Sequence, residues 1–162
     1  MYTRVDHVSM SGFADCAFVY KPRMSLFGGP GCVRFRLENK GPTGEAHDPS
    51  DDRAALRSII AALGFREWSS EEMDLLIIGV DSSELIEEAI DYITLWSIDA
   101  FDPDDDVDDG DLWQVLLEEW QWYADKGVTI AFWDLSASEN PAREALQSYG
   151  EPVEDYIEFY AT

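Results

Sequence analysis

The chain has 162 residues, enough for one domain of ordinary size and short for two. Its 46% hydrophobic and 13% aromatic content excludes an acidic disordered tail, and no apolar run approaches the roughly 20 residues needed to span a bilayer. Eleven Lys and Arg against 34 Asp and Glu leave a net charge of −23, which argues against direct binding to DNA, RNA or an anionic membrane.

The first ten residues show no basic-then-apolar leader, and Cys16 and Cys32 form neither a disulfide framework nor a CxxC pair. A soluble, cytoplasmic protein in a reducing compartment is expected. The charge is unevenly placed. Residues 1–66 hold nine basic and seven acidic residues, a net +2, whereas 67–162 hold Lys126 and Arg143 against 27 carboxylates, a net −25. Halophilic adaptation would spread carboxylates over both parts, so the asymmetry reads as an interaction surface or a solubility bias.

In chain order, residues 13–20 and 31–37 are short, aromatic and β-branched, and Val33, Phe35 and Leu37 alternate with Arg34 and Arg36. They predict a β-hairpin. Its Gly28-Gly29-Pro30-Gly31 connection lacks the Lys-Ser/Thr of a phosphate loop. Residues 39–49 read as a loop, and Ser50 caps a predicted helix over 51–63, with Leu56, Ile59, Ile60 and Leu63 as its buried stripe and Gly64 as its stop. Met73 to Val80 is a continuous apolar run of strand length, expected to be covered on both faces. Asp81 or Ser82 caps a second helix running to about Ser97. After an acidic loop over 99–111 come a third helix, Leu112 to Asp125, a stop at Gly127, and a second buried strand over 128–134. A short helix is predicted from Asn140-Pro141, and 153–160 fits strand or helix equally. The expected architecture is a single α/β domain, with α+β as the alternative: a mixed β-sheet packed with about four helices and carrying an N-terminal β-hairpin.

Two helices show faces suited to a partner. Wound at 100° per residue, the second puts Leu85, Ile86, Ala89, Ile90, Ile93 and Trp96 on one side and Glu84, Glu87, Glu88 and Asp91 on the other. No Lys or Arg interrupts that carboxylate stripe, although its first turn gains from the helix dipole. In the third helix, Trp122 lies about 180° from Trp113, so the two indoles face different layers. Val115, Asp111 and Glu119 share the Trp122 side, and Glu118 lies on the wet side. Either Trp122 packs under the hairpin, or it is an aromatic anchor ringed by carboxylates, the composition of a hot spot for a basic partner.

Sites for other chemistry are poorly supported. In the Asp-rich loop, Asp104, Asp106, Asp108 and Asp109 are weak cation candidates. Aligning Gly110 with the EF-hand glycine puts Val107 at a ligand position and Leu116 where the bidentate Glu belongs. His7, His47, Cys16 and Cys32 lack zinc-ligand spacing, and no GxSxG, HExxH, Walker or GxGxxG motif occurs. No cofactor is expected.

From Met73 onward, the order strand, helix, acidic loop, helix, strand, helix, with Leu112-Trp113, Trp120 and the strand VTIAFW, resembles the barstar family of acidic ribonuclease inhibitors over about 90 residues. The pattern departs from that family at Gln114 and Gly110, where it places carboxylates, so the resemblance illustrates a mechanism and assigns nothing. The resulting expectation is an acidic, non-enzymatic inhibitor, either an immunity protein or antitoxin neutralising a cationic toxin such as a nuclease, or a phage-type nucleic-acid mimic. Its partner would be a basic protein engaged by Glu84, Glu87, Glu88, Asp91, Asp111, Glu118, Glu119 and Trp122, and the chain itself a monomer or dimer. A small enzyme or a cation-binding protein is the other class.

Overall fold

The computed structural model describes residues 2–6, 14–20, 31–71, 73–103, 107–142 and 152–159. Five strands, β1 (Tyr2–Asp6), β2 (Asp15–Tyr20), β3 (Gly31–Arg36), β4 (Leu75–Val80) and β5 (Thr129–Asp134), form one sheet in the order β3-β2-β1-β4-β5. β1, β2 and β3 are antiparallel neighbours, whereas β4 runs parallel to β1 and β5 parallel to β4. The mixed sheet and the β2–β3 hairpin agree with expectation. The strand ahead of them, β1, was not anticipated, because YTRVD carries two charges and no apolar run.

Helices α1 (Asp51–Gly64), α2 (Ser83–Ser97) and α3 (Gly110–Asp125) pack on one face of the sheet. Ser50 and Ser82 cap the first two, their hydroxyls accepting from Arg53 N (3.0 Å) and Leu85 N (3.2 Å). α3 ends at Gly127, whose φ of +77° suits a residue without a Cβ. Gly64 stays helical, and its bare Cα serves another end: a Cβ there would meet the Phe159 carbonyl oxygen at 2.7 Å. The core joins Leu56, Ile59 and Leu63 of α1, Leu76, Ile78 and Val80 of β4, and Leu112, Trp113 and Leu116 of α3.

Covering the helix face alone corrects two expectations. Leu75 and Ile77 of β4 are 47% and 43% exposed and Trp133 of β5 is 54% exposed, so neither strand is buried on both sides. On that second face, Ala17 and Val19 of β2 are covered by Ala142. The helix expected from Asn140-Pro141 falls almost entirely outside the described residues; at its expected start Asn140 Oδ1 accepts from Ala142 N (3.0 Å). The 153–159 segment is neither strand nor helix; it is extended, touching the sheet periphery through a Glu38–Val153 bridge.

Two buried arginines of α1 make structural ion pairs, Arg57 within residues 1–66 and Arg53 across to the start of α3. Arg57, 1% exposed, grips the Glu38 carboxylate, and Arg53 spans Asp109 (2.8 Å) and Asp111 (2.7 Å). Cys16 pairs in register with Phe35 and Cys32 with Val19, so the two thiols lie on opposite sheet faces and are not neighbours.

Candidate functional site

The parallel strands β1, β4 and β5 all end in an aspartate or run directly into one. Asp6 is the last residue of β1, Asp81 follows Val80, and Asp134 is the last residue of β5. The register places Val80 beside Asp134 and Tyr2 beside Gly79, bringing the three positions to one edge of the sheet. This edge is also where connectivity diverges, β1 leading to β2 on one side and flanking β4 on the other. In open α/β sheets, ligands bind outside the carboxyl ends of strands at such a switch point. Ser83, at the start of α2, donates its hydroxyl to Asp134 Oδ2 (2.9 Å), orienting that carboxylate. Asp15 stands opposite Asp6 in the register and pairs with Arg36 at 3.1 Å. Burial raises the Asp15 pKa, and the Arg36 charge works against that rise.

A signal for this edge was present in the sequence and was not used. Val5-Asp6, Val80-Asp81 and Trp133-Asp134 each close a strand with an acid. Asp81 had been read only as a helix cap, and Asp6 had no strand to belong to.

The expected partner-binding residues do not form one surface. Glu84, Glu87, Glu88 and Asp91 are exposed along α2. Glu88 turns toward a recess of about 460 Å³ that it shares with Asp52, Asp108 and Asp109 over Leu56, Leu85 and Trp113. Desolvation, then its acidic neighbours, raises the pKa of Glu88, and likewise that of Asp52. Asp111 is taken up by the Arg53 pair, with His47 Nε2 a further 3.4 Å away. Burial pushes its pKa up, but the Arg53 bonds and charge, aided by His47, hold the carboxyl below its usual range. Glu118, Glu119 and Trp122 line a separate recess between α1 and α3. Of the cation candidates, Asp108 and Asp109 flank the α3 N-terminus, with Asp109 committed to Arg53, and Asp104 and Asp106 lie outside the described residues.

No protein-family model and no curated protein sequence matches this chain. Solved structures do match. The RNase H1 of the halophilic archaeon Halobacterium salinarum is similar over 90% of this chain and 92% of its own, with a TM-score of 0.51 and 15% identity. The N-terminal RNase H domain of a Mycobacterium tuberculosis protein, solved as a fusion with maltose-binding protein, covers 89% and 93% with a TM-score of 0.48 and 15% identity. The first of these likenesses shows the fold: a mixed α/β domain of the RNase H type. It overturns the reading as a non-enzymatic immunity protein, antitoxin or nucleic-acid mimic, and sets aside the barstar resemblance. The inhibitor reading rested on the acidic faces of α2 and α3 and on a chain without its first strand, β1.

Among the described residues, no three His, Cys, Asp or Glu side chains converge closely enough to hold a metal ion. Helix α1, which packs on β1 and β2, has no carboxylate after Asp52. The described side chains do not complete a metal centre, and no step is derived through one.

Proposed function

We propose that this chain is a nucleic-acid-processing enzyme of RNase H type that cleaves RNA phosphodiester bonds at the carboxyl ends of β1, β4 and β5. The observation that carries this reading is that β1, β4 and β5, neighbouring parallel strands, each bring an aspartate (Asp6, Asp81, Asp134) to the carboxyl end of the sheet, within a fold similar to RNase H1. In the proposed reaction a strand-end carboxylate takes the proton of a water that bonds to phosphorus, the opposite P–O bond breaks, and the leaving oxygen takes a proton from solvent water. Asp81, directly beyond β4, is assigned the base, and Asp134, held by Ser83, a fixed negative charge at the end of the neighbouring strand.

The net charge is compatible with an RNA substrate because it is segregated. The carboxylate excess lies largely on α2, α3 and their connection. The β1–β3 rows instead align Arg4 with Ala17 and Arg34, and Arg34 is exposed. Phosphate approaches from the side of β3 that carries Arg34.

The test incubates the full chain with end-labelled single-stranded RNA, duplex RNA and RNA paired with DNA, each with magnesium or with chelator. Cleavage of at least one substrate, reduced 100-fold or more by Asp81→Asn at unchanged melting temperature, is the expected result. Failure to cleave any of the three, or an Asp81→Asn variant as active as the parent, overturns the proposal.

A further inference from the structure

The recess between α1 and α3 has no place in the proposed reaction. Its volume is about 380 Å³, at the lower end of the roughly 300–1,000 Å³ typical of small-ligand sites. Leu63, Val115 and Tyr123 make an apolar floor, Trp122 and Phe159 stand as walls, and Glu118 and Glu119 line it from successive positions of α3. Trp122 is 40% exposed, whereas Trp113 of the same helix is 2% exposed.

The charges around the recess are unevenly matched. Lys126 lies 3.9 Å from the Trp122 ring centroid and reaches Glu67, so the chain's own cation occupies one face of the indole and neutralises that acid. Arg66 stacks over Trp68 at 5.2 Å. Glu118 accepts from the Gln114 amide at 2.6 Å, a neutral donor. Glu119 has neither a hydrogen-bond donor nor a cation among the described residues, although it is partly buried. Burial first, and Glu118 second, raise its pKa, the sign of a carboxylate lacking a compensating charge.

We propose that this recess docks a protein partner by receiving an arginine or lysine side chain from a basic segment. The aliphatic stem packs on Leu63, Val115 and Trp122, and the cationic head pairs with Glu119 and Glu118. A stem-and-head side chain matches an apolar recess lined by acids, as a compact metal ion does not. An exposed tryptophan beside unneutralised carboxylates is the composition of an interface hot spot. The −25 net charge of residues 67–162 attracts a basic surface at long range.

The probe is a fluorescein-labelled nonapeptide of alternating glycine and arginine, titrated into the full chain at 150 mM salt and followed by anisotropy. Glu119→Gln and Trp122→Ala are expected to weaken binding tenfold or more. The control Glu87→Gln with Asp91→Asn, which removes two charges from the α2 stripe, is expected to weaken it less than twofold. Because Glu119→Gln is nearly isosteric, it keeps the test valid if Trp122→Ala fails to fold. Absence of peptide binding overturns the proposal, as does a loss that follows the number of charges removed wherever they lie. Displacement of the peptide by spermidine at equal cation concentration also overturns it, by making a small organic cation the occupant.

Discussion

Replacing Arg57 with methionine tests what holds the C-terminal segment to the domain. The guanidinium is 1% exposed and meets the Glu38 carboxylate from Nε at 3.0 and 3.2 Å and from Nη2 at 2.7 Å. Nη2 also donates to the Ile157 carbonyl, and Ile157 N donates back to Glu38 at 3.1 Å. The rings of Tyr156, Phe35 and Phe159 lie 4.3, 5.1 and 5.2 Å from the guanidinium carbon, so strand β3, helix α1 and residues 156–159 meet at one cation. Methionine fills most of that volume and leaves Glu38, 3% exposed, as an unpaired buried charge. Removing one partner of such a pair costs about 3–5 kcal/mol, a large part of the roughly 5–15 kcal/mol that holds a domain folded. Taking away Glu38 as well, with Arg57→Met and Glu38→Met together, removes the stranded charge. The Ile157 carbonyl has already lost its partner in Arg57→Met, so the second substitution adds only the unpartnered Ile157 N–H, at about 1–3 kcal/mol. Urea unfolding followed by tryptophan fluorescence should therefore show the double variant more stable than Arg57→Met alone. A loss below about 1 kcal/mol for Arg57→Met would refute the reasoning, since typical net hydrogen-bond values are no larger. So would a double variant whose loss equals the sum of the two single losses.

Four further outcomes follow from the same geometry. Arg53→Met should destabilise the chain by about 3 kcal/mol, because Arg53 is 2% exposed and its loss strands Asp111 and Asp109; a urea midpoint within error of the parent would contradict this. The melting temperature should rise as pH falls from neutrality towards the ordinary carboxylate values of 3.8 and 4.5. Asp52, Glu88 and Glu119 have raised pKa values, so the folded state binds protons first and gains stability. Below that window the trend should reverse, because Asp111 has a depressed pKa and its contribution is lost as pH drops through the folded-state value; a melting temperature that only falls on acidification would contradict both signs. Maleimide should modify one thiol natively and two in denaturant, since Cys16 is fully buried with its pKa pushed up to about 12 whereas Cys32 is exposed; rapid labelling of both in the folded chain would place Cys16 elsewhere.

Much of the fold was legible because helix and strand signals are local. Ser50 and Ser82 mark starts that the structure keeps, and the apolar runs before Asp81 and Asp134 mark two parallel strands. Sheet order is a long-range property. Nothing in YTRVD says that it pairs antiparallel with residues 15–20 on one side and parallel with β4 on the other, yet that placement makes the sheet five-stranded and defines its switch point. The α2 stripe of Glu84, Glu87, Glu88 and Asp91 was correctly read as solvent-facing, because alternation around a helix is local too. Its apolar side was over-read: Ile90 is 54% exposed, and only Leu85 and Ala89 of that helix are buried.

The functional reading failed at a step that charge counting cannot make. A total of −23 says how a protein behaves far from its surface, but chemistry at a phosphodiester depends on the field within a Debye length, about 8 Å at physiological salt. At that range the relevant charges are those aligned by the sheet register: Arg4 and Arg34 in one row, Asp6 and Asp15 in another, Asp81 and Asp134 at the strand ends. The chain uses two of its arginines, Arg53 and Arg57, as buried structural cations against Asp109, Asp111 and Glu38. The acidic recess beside Glu88 and the one beside Glu119 lie among the helices, on the face of the sheet opposite Ala17 and Val19. In the proposed reaction the helix layer stays strongly anionic while the phosphate meets the other face of the sheet, where β3 exposes Arg34. In the proposed reaction, neutralising Glu118 and Glu119 on α3, in the recess beside the α1 C-terminus, should leave RNA cleavage within about twofold of the parent at 150 mM salt, where screening confines each charge to its own surroundings. A tenfold acceleration would show instead that the helix-layer field does reach the substrate.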